Sequence, residues 1–548
     1  MKISIPIMVQ DQTIASQKGM RPTEVCTLEG ERFFLDGPVT ERLAVLDFDP
    51  KTGELSQGTH FNAAEATYEV EPEPFDSPDF LRTNAFGTVL KTMYMFEEDD
   101  TLGRPLDWGF DGPQLLVVPA AGEWANAFYE REARCLQFFY FQSQEGRRVY
   151  TSLSHDIVSH ETGHAILDGI APDLYHAITP QSLALHEGIA DLVALVMAFR
   201  NDTLRKTVLD QTGGSIDNIT AFSSVAEEFG RAQGKPGALR QFVNEKTLDP
   251  NDAENLVDVA EPHDLCQVLT GALYSVMVKI HDTLKRRFAE QDKTTEFSAS
   301  GKALFVGAER FKRMIFRALD YLPPGEISFA DYGRAIIASD QASHPDATQA
   351  RDWLRKEFVR RCMAPGLEAL EVEEPFDHPA LKDLDLGTFV DSDWAAYEFA
   401  NRNRELLRIP ADIPFRIRPR LDTSKTYYFH GGVKKPIREC IFKVSWDVLE
   451  PNPEGSWFPD KRQITVGTTL AIDWETKRVR ARLTSQWEEQ KDDRDKMLQK
   501  LDEKGLLVPA ELATTPDGKP LRCAIKAETT ADLMRVRGTA RTLHIAGT

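Results

Sequence analysis

The sequence predicts an α+β protein on three observations: strand-and-turn patterning over the first eighty or so residues, apolar stripes at helical spacing through the middle, and strand-like alternation again toward the carboxy terminus. A chain of 548 residues has room for two to four domains. Residues 1–80 read as a β-rich region, in which LAVLDFDPKTGEL (43–55) alternates apolar and polar residues into a Pro/Gly turn, the pattern of a hairpin. Residues 81–365 read as one helix-rich unit. TPQSLALHEGIADLVALVMAF starts a helix with Thr179 as N-cap and Pro180 at the first helical position. Leu265, Val268, Leu269, Ala272, Leu273, Val276, Met277 and Ile280 hold the i, i+3, i+4, i+7 spacing of a buried helix face, and Phe311, Ile315, Ala318, Leu319 and Leu322 repeat it further on. Residues 366–395 are acidic and contain proline, which reads as a solvated linker. Residues 396–548 then form a carboxy-terminal α+β or β-rich module, with strands in ECIFKVSWDVL and RQITVGTTLAIDW and a charged helix near 486–505.

The composition removes several function classes. With 65 Lys+Arg against 86 Asp+Glu the net charge is −21, and no basic block interrupts it, so a dedicated nucleic-acid binder is not expected. A 41% hydrophobic share with 28% charged residues suits a folded chain with large cores. The amino terminus turns polar at Gln10, too early for a secretory leader, and the apolar runs read as too short for a membrane span of about eighteen residues or more. Cys26, Cys135, Cys266, Cys362, Cys440 and Cys523 are scattered without a CxxC, as reduced and mostly buried thiols are. The expected setting is cytoplasmic, with export by a leaderless route as the alternative.

Chemistry concentrates in SHDIVSHETGHAILDG. His160 and His164 stand four residues apart, so on a helix both imidazoles leave one face and can close on a single ion, with Glu161 beside them to act on a bound water. In HEGIADL, Glu187 supplies a third, carboxylate ligand, and Asp191, four residues on, can accept the outer N–H of a ligating histidine. Two His and one Glu leave the fourth tetrahedral position open, as catalytic zinc sites do. The neighbouring His155, His176 and His186 read as solvent-facing or locally hydrogen-bonded.

These residues resemble, in order, the motifs of the thermolysin-like zinc metallopeptidases of the gluzincin group. NAFY (126–129) is similar to the family's substrate-binding edge strand, HETGHAILD to its zinc helix, and Glu187 with Asp191 to its third ligand and supporting carboxylate. Tyr175 falls where the family keeps an oxyanion-binding Tyr, and His263 in EPHDL is the candidate for the second oxyanion donor. GALR (237–240) resembles the segment whose Arg contacts the substrate carbonyl. The resemblance implies a two-lobe metallopeptidase domain, with a mixed β amino-terminal lobe and a helical carboxy-terminal lobe. It implies one zinc ion on His160, His164 and Glu187, catalytic Glu161, Tyr175 and His263, and substrate contacts from Asn126, Ala127 and Arg240. Calcium stays open, because Asp156 falls at a calcium-ligand position while Ala198 stands where a calcium-binding Glu is expected.

The expected activity is that of a zinc-dependent endopeptidase acting on peptide or protein substrates, with Glu161 as general base. The alternatives are a catalytically inactive metal-binding scaffold or interaction protein, and a zinc aminopeptidase, although no GxMEN-type segment precedes the HExxH. Oligomeric state is not legible in the sequence.

Overall fold

In a computed structural model, the structure describes residues 2–12, 21–48, 52–225, 230, 238–429, 433–454, 458–509, 525–530 and 532–537. It is a mixed fold of helices and sheets. Strands β1 (Lys2–Met8) and β2 (Thr23–Glu29) form an antiparallel hairpin with Lys2 opposite Glu29. Period-two alternation turns Ile3, Ile5 and Ile7 inward. They pack on helix α1 (Pro78–Glu97), which has no side chain at Gly87: a Cβ there would sit 2.7 Å from Ile5 Cδ1 and Ile7 Cγ2. Asn84, fully buried on α1, accepts from the Met8 N–H at 2.7 Å and donates to the Ser152 carbonyl at 2.7 Å. It thereby joins the hairpin to the turn that precedes the HExxH helix.

The expected 43–55 hairpin is realised in part. Phe48 and Leu55 form an antiparallel bridge, but the turn at 49–51 lies outside the described residues. Leu43–Val45 pairs instead with Leu115–Val118, in parallel, because strand partners are settled by which apolar faces meet in the core. These strands belong to a four-stranded sheet together with Cys135–Phe138 and Ala127–Glu130. Numbered in chain order, β3 (Leu43–Val45), β4 (Leu115–Val118), β5 (Ala127–Glu130) and β6 (Cys135–Phe138) lie in the order β3–β4–β6–β5, which leaves β5 on the edge.

Helix α2 (His155–Ile170) packs on this sheet, and helix α3 (Pro180–Arg200) packs on α2. α3 is long and apolar enough to cross a bilayer by length and composition, contrary to the reading of its run as too short, and every residue of its apolar window is buried inside the protein. Thr179 is its N-cap residue and Pro180 opens it, but the Thr179 side chain does not cap. Instead the Glu326 carboxylate accepts from the Ile178 and Thr179 N–H groups at 3.0 and 2.9 Å. Helices α4 (Pro262–Asp292), α5 (Glu296–Phe316), α6 (Phe329–Ser343) and α7 (Gln349–Arg360) complete the helical layer, and α4 carries the 265–280 stripe as a buried face.

The stretch expected as a solvated linker is folded against the core. Residues 367–370, Pro379–Lys382, Leu386–Asp391 and Asp393–Arg402 are short helices that bury Leu370, Leu381, Leu386 and Phe389. The acidic average of the segment hid apolar residues spaced to face inward one turn at a time. Beyond it lie β7 (Phe415–Ile417), β8 (Leu421–Phe429), β9 (Val433–Pro451), β10 (Lys461–Asp473) and β11 (Val479–Thr484), then helix α8 (Lys491–Glu503), β12 (Leu507–Pro509), β13 (Ile525–Thr530) and β14 (Leu533–Arg537). Their eight-stranded sheet runs β7–β9–β10–β14–β13–β12, with β8 on β9 and β11 on β10. Along β9 and β10, Phe442, Val444, Trp446, Ile464 and Val466 face a core shared with α8, whereas Ile441 and Ala471 join the main helical core. The sheet is fastened to the start of α3: buried Arg494 on α8 donates to Thr179 Oγ1 at 3.0 Å and to Glu450, and Glu326 N donates to the Thr465 carbonyl at 2.8 Å.

Four cysteines (Cys26, Cys135, Cys266 and Cys440) are buried free thiols, and Cys362 is an exposed one. Cys523 lies outside the described residues.

Candidate metal centre

α2 begins at Ser154, whose Oγ accepts from the Ile157 N–H at 3.3 Å, and carries Asp156 in its first turn, both suited to a helix amino terminus. Glycine at 163 sets how near α3 comes. A Cβ at Gly163 would lie 3.0 Å from Ala190 Cα and 3.2 Å from Val193 Cγ2, so a residue without a side chain is what admits this approach. The approach carries Glu187 to the two imidazoles one helical turn apart.

His160 Nε2 and His164 Nε2 are 3.0 Å apart, and each lies 3.6 Å from one oxygen of the Glu187 carboxylate. Tetrahedral zinc with bonds of about 2.0–2.1 Å places neighbouring ligand atoms roughly 3.3–3.4 Å apart, so these spacings, with Oε2 of Glu187 facing His160 and Oε1 facing His164, are on the scale of one ion's ligand shell. His160, Glu161 and His164 also form a buried group whose ligand atoms lie within 4.8 Å of one another. The donor set, two imidazoles and a carboxylate, fits a divalent metal ion.

Each histidine is steadied from outside. His160 Nδ1 lies 2.9 Å from Asp191 Oδ1, and Asp191 in turn takes Arg240 through two hydrogen bonds of 2.7 and 2.6 Å. His164 Nδ1 is 2.6 Å from His186 Nδ1, with the two rings stacked 4.8 Å apart. Burial pushes the His186 imidazole down to about 4 and so holds it neutral, able to accept from the His164 Nδ1–H that remains once Nε2 is given to an ion. Burial alone would lower His160 too, but hydrogen bonds to Asp191 and Glu187 hold it up at about 9. Three buried carboxylates, Glu161, Glu187 and Asp191, thus surround a position where positive charge is favoured. Burial, helped by the charge of Glu187, raises Glu161 to about 7, and its Oε2 accepts from the Tyr129 N–H of β5 at 3.0 Å.

The other expected residues lie on elements that contact α2 or α3. His263, at the start of α4, puts Nε2 3.5 Å from Glu187 Oε2 and Nδ1 3.4 Å from Glu261. Tyr175 lies in the turn Pro172–His176, its hydroxyl accepting from the Arg131 N–H at 3.2 Å and its ring 4.1 Å beneath the Arg131 guanidinium. Ala127 begins the edge strand β5, and the Asn126 side chain accepts from the Ala127 N–H at 2.8 Å. Arg240 sits in the short strand Arg240–Gln241 against Asp191, while Gly237 of the GALR segment lies outside the described residues. Asp156 and Ala198 are both buried.

Sequence reasoning missed several parts. Of the three histidines read as solvent-facing or locally hydrogen-bonded, His176 is exposed and 2.8 Å from Arg131, His186 is fully buried but hydrogen-bonded to a candidate ligand, and His155 is fully buried. Asp168, one helical turn beyond His164, accepts from the Tyr129 hydroxyl at 2.7 Å and from Arg131 Nε at 2.8 Å. This clamp fixes the edge strand and the Tyr175 turn to the HExxH helix, and its one sequence signal was an acidic residue in register with the two histidines.

No protein-family model and no curated protein matches the chain. Among solved structures, the precursor of protealysin, a metalloproteinase from Serratia proteamaculans, is similar at 12% identity, with 64% of this chain and 92% of that chain covered and a TM-score of 0.35. A likeness that distant adds nothing to the geometry of the site.

Proposed function

We propose that this protein is a zinc-dependent endopeptidase, of the thermolysin-like kind that its motifs resemble. The observation that carries the reading is the Glu187 carboxylate, which spans two imidazoles from the neighbouring helix at 3.6 Å each. A zinc ion held by His160, His164 and Glu187 would supply a polarised water and Lewis-acid stabilisation of a carbonyl oxygen. Glu161, poised near neutrality, takes the proton of the attacking water and returns it to the leaving amine. Tyr175 and His263 donate hydrogen bonds to the developing oxyanion, and each such donor is typically worth about 3 kcal/mol of barrier. β5, at the edge of its sheet with Asn126 and Ala127 at its start, would line the path of an extended peptide, which must compete for the N–H groups of Ala127, Tyr129 and Arg131 now held by Asn126, Glu161 and Tyr175. Arg240, held by Asp191, faces the same centre and orients the substrate carbonyl.

The test is one preparation assayed for bound zinc and for cleavage of an unstructured protein such as casein. Glu161→Gln should keep its zinc and lose at least a hundredfold in turnover, whereas His160→Ala should lose the zinc. Equal cleavage by wild type and Glu161→Gln would refute the assignment. Zinc without any cleavage would point to a metal-binding scaffold, and cleavage confined to free amino ends would point to an aminopeptidase.

A further inference from the structure

A second cavity, of about 290 Å³, lies where the carboxy-terminal sheet meets the end of α2. Its walls include the aromatic pair Trp108 and Phe110, stacked at 6.1 Å and 9°, together with Pro323, Pro324 and Pro419. The α2 terminus at Gly169 and Ile170 and the Tyr175 turn at Pro172 to Leu174 close another side.

The polar groups of this cavity are unequally satisfied. Arg104 is spoken for by Asp320 at 2.7 Å, and Arg418 by Asp173 at 2.6 Å. Lys443 is different. It sits on the face of β9 that also carries Ile441 toward the helical core, it lines the cavity, and it is only 7% exposed. Among the described residues no carboxylate lies within ion-pair distance of its ammonium group, and Asp320, the nearby acid, is already taken by Lys425 and Arg104. Burial pushes the Lys443 ammonium down to about 8, as expected of a cation removed from water without a partner, and it remains mostly charged at neutral pH. Asp107 and Asp111, both exposed, belong to the same lining. Such a rim disfavours ligands with several negative charges, such as phosphate or citrate.

We propose that this cavity binds a small organic monocarboxylate with a flat apolar body, its carboxylate paired with Lys443 and its body held between the Trp108–Phe110 pair and the prolines. A deep ammonium with an apolar antechamber is the usual plan for such ligands, in which one polar group fixes orientation and the walls supply contact. The site is separate from the metal centre and does not depend on the peptidase reading.

Calorimetric titration of the full chain with sodium benzoate, sodium acetate and benzylamine tests it. Benzoate should bind once per chain and more tightly than acetate, and benzylamine should not bind. Lys443→Met should weaken benzoate at least tenfold, and so should Leu421→Trp, which fills the cavity while leaving the lysine in place. The titration is repeated with a chelator present, because a carboxylate can also ligate an ion at His160 and His164. Benzoate binding that survives chelation and is lost in either variant supports the site. Absence of benzoate binding, equal binding of benzylamine, binding abolished by the chelator, or unchanged affinity in both variants would overturn it.

Discussion

Replacing Asp191 by alanine separates the metal centre from its support. Asp191 is fully buried, holds the outer nitrogen of His160 at 2.9 Å, and takes Arg240 at 2.7 and 2.6 Å. Two losses follow, and they have different sizes. Losing the partner of a metal-binding histidine typically lowers metal affinity 10- to 100-fold, which is about 1.4–2.7 kcal/mol. Leaving Arg240 buried without its carboxylate costs roughly 3–5 kcal/mol of folding stability. The double variant Asp191→Ala/Arg240→Met removes the stranded cation and should recover most of the stability, while the deficit in zinc affinity persists. Zinc affinity is read by competition with a chromogenic chelator, and stability by urea unfolding of chelated protein. If the double variant binds zinc within twofold of wild type, His160 is not oriented by Asp191 and the account of the site is wrong.

Three further outcomes are expected. Gly163→Val places a branched side chain where even a Cβ lies 3.0 Å from Ala190 Cα, so it should cost about 1–3 kcal/mol in thermal unfolding and weaken zinc binding by moving Glu187 away; unchanged zinc affinity would show that the helix approach does not set the site. Asn84→Ala strands the buried Met8 N–H and Ser152 carbonyl, so urea unfolding should show a loss of about 2–4 kcal/mol. Lys443 has a folded pKa lowered to about 8 from 10.5, so the unfolded chain binds more protons between those values and stability attributable to this residue rises with pH across that window. Lys443→Met should therefore be the more stable protein at pH 7, by about 3 kcal/mol at most, with the advantage shrinking toward pH 10 in parallel unfolding series.

The candidate ligand set was legible because its spacing is a property of the helix itself. Four residues separate His160 from His164, and four separate Glu187 from Asp191, so each pair had to share a face once its segment was helical. What lies across the gap between elements was less so. His186 precedes a ligand in sequence yet reaches the other helix, and the Asp168–Arg131–Tyr175 clamp joins α2 to the residues after β5 and to a later turn. Such contacts depend on side-chain directions that appear only after the elements dock. The acidic stretch at 366–395 was misread for a related reason: its charge dominates any average, while the burial of Leu381, Leu386 and Phe389 is decided by the sheet they meet. The α3 run shows the limit of length rules, since its apolar residues are buried by neighbouring protein.

Arg494, Glu326 and Thr465 tie the carboxy-terminal sheet to the entry of α3, whose third turn bears Glu187. A gene fragment trimmed near residue 365 would keep every motif of the metal centre and still lose this splint. The last third of the chain is in that sense part of the foundation of the candidate metal centre, and dissecting the protein by its visible motifs would cut through it.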